Sequence, residues 1–135
     1  MQQNPDQVTR VNALIDGLLK TMSRPLRDRF AYAEELAPRK TSTRENLQGV
    51  FKVWISFWRD LLIIASRANT PLIHHDYEAV LRSLASEIPL SEIHAQLARL
   101  EDGFDQLDKN ANTRLLTEVI VLGLPELHKP LPPPL

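Results

Sequence analysis

The sequence contains no cysteine and only four glycines among its 135 residues. The absence of cysteine excludes disulfide scaffolds, thiolate zinc sites and cysteine nucleophiles, and it favours an intracellular home. A phosphate-binding loop needs clustered glycines to cradle the phosphates, and no Gly-x-x-x-x-Gly-Lys-Ser/Thr motif is present. ATP hydrolysis therefore cannot be assigned to this chain.

Long apolar runs and an excess of charge of one sign are also missing. The most apolar stretch, residues 50–65, is broken by Lys52, Arg59 and Asp60 and is shorter than the ~20 residues that span a bilayer. The polar N-terminus lacks the basic start and apolar run of a signal peptide. The net charge of -1 gives no global electrostatic reason to bind nucleic acid or an anionic membrane. We therefore expect a cytoplasmic protein that does not contact membranes.

What the sequence does contain is the spacing of apolar side chains that is typical of helices. No segment alternates apolar and polar residues with the period of a strand over a useful length. The pattern predicts an all-α fold, a compact bundle of about five to six helices over residues 1–124. The proline-rich tail, residues 125–135, is expected to be extended in a polyproline-like form and not packed.

Capping residues indicate where several helices begin. Asn4 before Pro5 favours one start, Ser42 is followed by a glutamate at capping-box spacing, and Ser91 is the expected cap of a later helix. The helix that follows Ser42 is expected to run to about Arg67 and to be central, because its apolar stripe is broad. The second helix is expected to turn the following side chains inward: Leu26, Phe30, Ala33, Leu36 and Ala37.

Three stretches together carry a family resemblance, and their order and spacing matter more than any one of them. They are Phe30-Ala31-Tyr32-Ala33-Glu34-Glu35-Leu36-Ala37, Trp54-Ile55-Ser56-Phe57-Trp58-Arg59-Asp60-Leu61-Leu62 and Leu107-Asp108-Lys109-Asn110-Ala111-Asn112-Thr113-Arg114-Leu115. With them, the chain from about Lys20 to Pro125 resembles the C-terminal collar domain of the delta-prime subunit of the bacterial DNA polymerase III clamp loader. The last stretch is the most specific.

The resemblance implies a non-catalytic assembly module that packs with sister subunits in a collar and so organises the ATPase modules that load the sliding clamp. It implies gamma/tau-type and delta-type partners in a hetero-pentamer, indirect contact with DNA, and no cofactor or small-molecule substrate. Complete members of that family carry a nucleotide-binding-type region upstream. The resemblance and the helix pattern together give these subunit-interface candidates: Trp58, Arg59, Asn110, Asn112, Arg114 and Glu118.

Several of these candidates also have a purely structural interpretation. Asn110 and Asn112 stand where asparagine satisfies free backbone groups at helix ends, so local capping competes with a contact to another subunit. Trp58 and its aromatic neighbours form either an exposed interface cluster, because aromatics are enriched at interface centres, or part of the core, which the pattern favours. Arg59 is followed by Asp60, and the two either form an ion pair in solvent or contact a partner subunit.

An alternative function is a nucleic-acid-binding helical module that uses the basic segment 20–44. That segment holds seven lysines and arginines against three acidic residues. Arg39, Lys40 and Arg44 are its candidate phosphate contacts, and binding of this kind would weaken steeply with salt.

No residue pattern indicates catalysis or a metal site. His74, His75 and Asp76 are suitable ligand types, yet no third and fourth ligand stands at diagnostic spacing, and a polar loop or helix entry is the favoured interpretation. The adjacent carboxylates Glu101 and Asp102 diverge on a helix, so acid-base chemistry has no support there. The sequence therefore predicts that the chain is not an enzyme by itself.

Overall fold

The computed structural model describes residues 5–37, 44–109 and 112–134. Its six α-helices are α1 (Pro5–Met22), α2 (Leu26–Leu36), α3 (Arg44–Ala65), α4 (Glu78–Glu87), α5 (Leu90–Leu107) and α6 (Thr113–Leu122). A short 3-10 helix, His75–Tyr77, leads into α4, and no strand occurs within the described ranges. The predicted all-α bundle is confirmed.

Helix α3 lies at the centre because its side chains are apolar on more than one face. It packs against α5, α4 and α1, while α2 packs mainly against α6. The two tryptophans and two of the phenylalanines are wholly buried on α3, and Phe51 stacks on Trp54 with ring centroids 6.1 Å apart. Trp54 also donates its indole N–H to Leu14 O on α1 at 3.2 Å, which satisfies its one polar atom.

The inward face of α2 differs from the prediction. Ala33 and Ala37 are buried as expected, but Leu26 and Phe30 are each 52% exposed, and Arg29 is buried in their place. The reason is that α2 packs through the face that contains Arg29 and Ala33, where the guanidinium reaches backbone carbonyls of α6 and of the segment after it. Apolar spacing alone does not reveal that a charged side chain holds a core position.

Helix starts were predicted with mixed success. Asn112 caps α6 through a 3.0 Å bond from Leu115 N, so its capping role is confirmed. The predicted cap at Ser91 is wrong, because α5 begins at Leu90. Pro89 takes the cap position, and its carbonyl accepts the first helical bonds from Glu92 N and Ile93 N. The proposed caps at Asn4 and Ser42 lie outside the described residues.

The C-terminal segment is extended but not detached, which corrects the prediction of an unpacked tail. Leu127 is 7% exposed, and its N–H donates to Met22 O at the end of α1 at 2.8 Å. Leu131 packs against the core as well. Leucines placed between the prolines supply the apolar surface that holds the segment on the bundle.

Within the described ranges, no helix combines the length and the apolar character needed to span a membrane.

Candidate subunit interface

Helices α2 and α6 form an antiparallel pair on the side of the bundle. Arg29 of α2 reaches Val121 O near the end of α6, while Glu34, farther along α2, lies 3.8 Å from Arg114 at the start of α6. The helices therefore run in opposite directions along their contact. Helix α6 also packs against α5, so it is the element that joins α2 to the central part of the bundle.

Apolar side chains project from this pair into solvent. Leu26 and Phe30 are one turn apart on α2, and Leu115 and Val119, 57% and 59% exposed, are one turn apart on α6. They account for four of the seven large exposed hydrophobic side chains among the described residues. We call these four residues the α2–α6 surface. Exposed apolar side chains one helical turn apart are neighbours, as in each of these two pairs, and adjacent exposed apolar side chains are typical of a surface that a protein partner covers.

A groove between α5 and α6 includes part of this surface. It has a volume of about 280 Å³, and Leu115, Val119 and Ile120 line it on the α6 side. Gly103 of α5 forms part of its floor, where an added Cβ would lie 3.2 Å from Ile120 Cδ1. The missing side chain therefore lets α6 lie close to α5 and sets the shape of the groove.

The charged interface candidates fall on two helix pairs. Arg114 lies 3.2 Å from Glu118 on α6 and also pairs with Glu34, so it connects α6 to α2. Arg59 of α3 lies 3.9 Å from Glu101 of α5. The Arg59–Glu101 pair is exposed and contributes about 0–1 kcal/mol, whereas the side chains of Arg114 and Glu118 are half-buried.

The aromatic candidate Trp58 is not at the surface. Trp54, Phe57 and Trp58 are all 0% exposed, so the alternative of an exposed aromatic cluster is wrong and the core alternative is confirmed. A residue on this face of α3 affects a partner only by fixing the position of the helix. Asn110, the remaining candidate, lies outside the described residues.

The basic segment does not form one patch in the described part of the chain. Arg29 is buried inside the bundle, and Arg44, the first residue of α3, is half-buried. Arg39 and Lys40 lie outside the described residues. Lys20 and Arg24 border a shallow groove beside α1 that also contains the acidic residue Asp16. The charges that would act together on a phosphate backbone are thus divided between the core and the surface.

Ser56, His74 and Asp60 lie together at the α3–α4 connection and have the residue types of a catalytic triad. The Ser56 hydroxyl lies 2.7 Å from Val53 O, to which it donates, and His74 Nε2 lies 2.7 Å from the same hydroxyl oxygen. The Asp60 carboxylate accepts the backbone N–H groups of Ile73 and His74, at 2.9 and 2.6 Å, instead of the imidazole. The imidazole lacks the orienting carboxylate of a triad, and the Ser56 hydroxyl has a backbone acceptor, so this arrangement holds a loop and does not activate a nucleophile.

Burial lowers the pKa of His74, while the charge of Asp60 raises it and that of His75 lowers it. His75 and Asp76 are exposed and lie 3.9 Å apart. No group of three or more metal-ligand side chains is found among the described residues.

Arg29 is the residue that the sequence interpretation missed. Its guanidinium donates to Val121 O at 3.2 Å, to Leu124 O at 2.5 Å and to Pro125 O at 3.1 Å, so it caps the C-terminal end of α6. Burial lowers its pKa and Glu126 raises it, and an arginine remains charged at neutral pH in either case. Arg29 stands four residues before Ala33, which was predicted to be buried, so the two share one face of α2; this spacing was the available signal that Arg29 is buried.

Comparison with known families gives a match over most of the chain. A family model described as DNA polymerase III, delta subunit, C terminal, matches residues 36–125, more than half of the 135-residue chain. The match contains all of α3 to α6 and only the last residue of α2. No curated protein and no solved structure matches the chain.

Proposed function

The chain belongs to the family formed by the C-terminal domains of DNA polymerase III delta subunits, and on that premise we propose that it is a non-catalytic assembly module of a clamp loader. At finer resolution we propose the delta-prime type and a place in the collar of a hetero-pentamer. Its partners are then gamma/tau-type and delta-type subunits in the cytoplasm, and DNA is contacted only indirectly.

The observation that carries this proposal is the exposure of Leu115 and Val119 on α6, within the residues that match the family. Two apolar side chains beside a groove offer a partner helix a surface to cover, and desolvation of such side chains is the main favourable term in association. Arg114 and Glu118 lie on the same helix and supply the polar rim that fixes orientation.

The mechanism is one of geometry. Helix α3 is held on several sides by α1, α4 and α5, so it provides a stiff support. Helix α6 is attached to that support through α5 and to α2 on its other side, which presents its outer face in one direction. A subunit bound there would hold the ATPase modules attached to each collar domain at fixed relative positions.

The test is native mass spectrometry of the chain mixed with the other clamp-loader subunits of the same organism. Wild-type chain is expected to enter a stoichiometric complex, and Leu115→Ser is expected to reduce its occupancy. Leu90→Ser is the matched control, because Leu90 is 43% exposed at the start of α5, outside the α2–α6 surface. Equal loss in both variants, or no complex with wild-type chain, would count against the proposal.

Arg59, Asn110, Asn112, Arg114 and Glu118 remain proposed contact residues. Arg114→Ala and Glu118→Ala are expected to change the salt dependence of complex formation more than its final extent, because rim charges act mainly on encounter and orientation. Trp58 is not included in this set, since its side chain is in the core.

A further inference from the structure

The C-terminal segment that follows α6 is attached to three other helices. Its first residues are held by Arg29 of α2, which binds the carbonyls of Leu124 and Pro125. Leu127 N then bonds to Met22 O at the end of α1. Leu131, farther along, lines a groove beside α1. The segment thus crosses the bundle from α6 to α1 with an attachment at each stage.

Glu87 makes the attachment to α4. Its two carboxylate oxygens accept the backbone N–H groups of His128 and Lys129, at 2.7 and 3.3 Å respectively. Glu87 is the last residue of α4, where the helix dipole disfavours a negative charge. The two amide donors offset that penalty, which gives the position of this carboxylate a physical reason.

Helix α6 depends on its contacts with the rest of the chain. It has ten residues, fewer than the roughly 12–15 that a helix needs to be even marginally stable alone. Its buried residues are Thr117, Ile120 and Val121 only. The next buried apolar side chains, Leu124 and Leu127, belong to the segment beyond its end.

We propose that residues 124–131 are a strap that holds α6 in one orientation, with Glu87 as its releasable attachment. Loss of the Glu87 contact frees the outer half of the strap and lets the last turn of α6 open more often. The consequence for assembly rests on the proposed function, because a loosened α6 presents Leu115 and Val119 to a partner less often.

The first test is hydrogen exchange followed by mass spectrometry on the full chain. Glu87→Gln keeps one of the two acceptor oxygens and replaces the other with an amide NH2 group, which cannot accept the backbone N–H that faces it. We expect peptides that cover 119–131 to exchange about tenfold faster, which matches the loss of about one charge-assisted hydrogen bond. Glu78→Gln is the control: it makes the same charge change on the same helix, and Glu78 pairs with Arg82.

A second variant, Leu127→Ala, releases the strap without changing charge. It is expected to accelerate exchange in the same peptides while those of α3 remain protected. If Glu87→Gln and Leu127→Ala leave the exchange of 119–122 at the wild-type rate, the strap does not hold α6 and the inference is wrong.

Complex formation with the other subunits then separates the two proposals. If the strap and the proposed function are both correct, Glu87→Gln weakens the complex by several-fold and Glu78→Gln does not. Faster exchange in Glu87→Gln with no binding by the wild-type chain supports the strap and overturns the proposed function. If Glu87→Gln exchanges at the wild-type rate and the wild-type chain joins the complex, the proposed function is supported and the strap is overturned.

Discussion

At the scale of single residues, the environment decides what an arginine does. Arg27 and Arg29 are two positions apart on α2, yet Arg27 is exposed and Arg29 is wholly buried. The carbonyls at the end of a helix have no partner within it, and the planar guanidinium offers several donors in a fixed arrangement. Arg29 donates to one such carbonyl, Val121 O, and to Leu124 O and Pro125 O in the segment that follows, and it thereby joins α2 to α6 and to the tail.

Arg29→Met is expected to lower the free energy of unfolding by about 3 kcal/mol, because buried carbonyls lose charged donors. Arg29→Lys keeps the charge but has only one nitrogen, so its free energy of unfolding is expected to lie between those of Arg29→Met and the wild type. Arg27→Met, on the same helix, is expected to stay within about 0.5 kcal/mol of wild type. Urea denaturation measures all three, and equal stability of Arg29→Met and Arg27→Met would contradict the assignment.

The neighbours Trp58 and Arg59 give a second comparison between adjacent positions. Trp58→Ala is expected to cost about 3–5 kcal/mol, since it removes a large side chain from the core. Arg59→Ala is expected to change stability by less than about 1 kcal/mol, because its pair with Glu101 is exposed. Thermal denaturation distinguishes them. A small effect of Trp58→Ala would mean that the side chain is not part of the core.

At the scale of elements, the connection between α3 and α4 is held by side chains of α3. Asp60 is wholly buried and binds the backbone N–H groups of Ile73 and His74. Arg67, with φ of 58°, gives the chain its left-handed step after α3, a conformation disfavoured for residues with a Cβ. His74 Nε2 also lies 2.7 Å from the Ser56 hydroxyl oxygen, which ties the loop to α3 a second time.

The lowered pKa of His74 makes stability depend on pH. In the unfolded chain the imidazole has its ordinary pKa of 6.5, so below that pH the unfolded state binds the proton more readily than the folded state. Stability is therefore expected to be complete above pH 6.5 and to fall as the pH drops below it. Urea denaturation across this range checks the direction.

Two histidine variants test whether His74 is the cause. His74→Gln is expected to flatten the dependence between pH 7 and pH 5, roughly the range over which a histidine titrates. His94→Gln, an exposed position on α5, is expected to keep the wild-type slope. If His94→Gln flattens the slope as much as His74→Gln, the buried imidazole is not responsible.

The sequence predicts these elements to different degrees. The periods of α3 and α5 are long and regular, so their positions and buried residues such as Phe51 and Leu100 follow from the spacing of apolar side chains. Helix α2 has only eleven residues, and its orientation is set by the hydrogen bonds of Arg29 to carbonyls more than ninety positions away. Local spacing contains no information on such partners, and the same is true of the contact between Glu87 and the tail.

At the scale of the whole molecule, the arrangement divides into a packed centre and an outer pair. The centre is α3 with α1, α4 and α5, and the outer pair is α2 with α6. The centre buries most of the large apolar side chains, whereas Leu26, Phe30, Leu115 and Val119 remain exposed on the outer pair. The predicted candidates Asn112, Arg114 and Glu118 lie at the cap and on the body of α6, but the spacing of apolar residues did not separate the exposed Leu115 and Val119 from the buried ones.

An apolar surface without its partner promotes association of the isolated chain. We therefore expect sedimentation velocity to show a larger average mass as the chain concentration rises. Leu115→Ser removes a side chain whose burial contributes about 1.5–3 kcal/mol, so it is expected to weaken self-association about tenfold or more. Leu90→Ser, which alters an exposed leucine on α5, is expected to associate like wild type. A chain that stays monomeric at every concentration, or equal effects of the two variants, would show that the α2–α6 surface does not drive association.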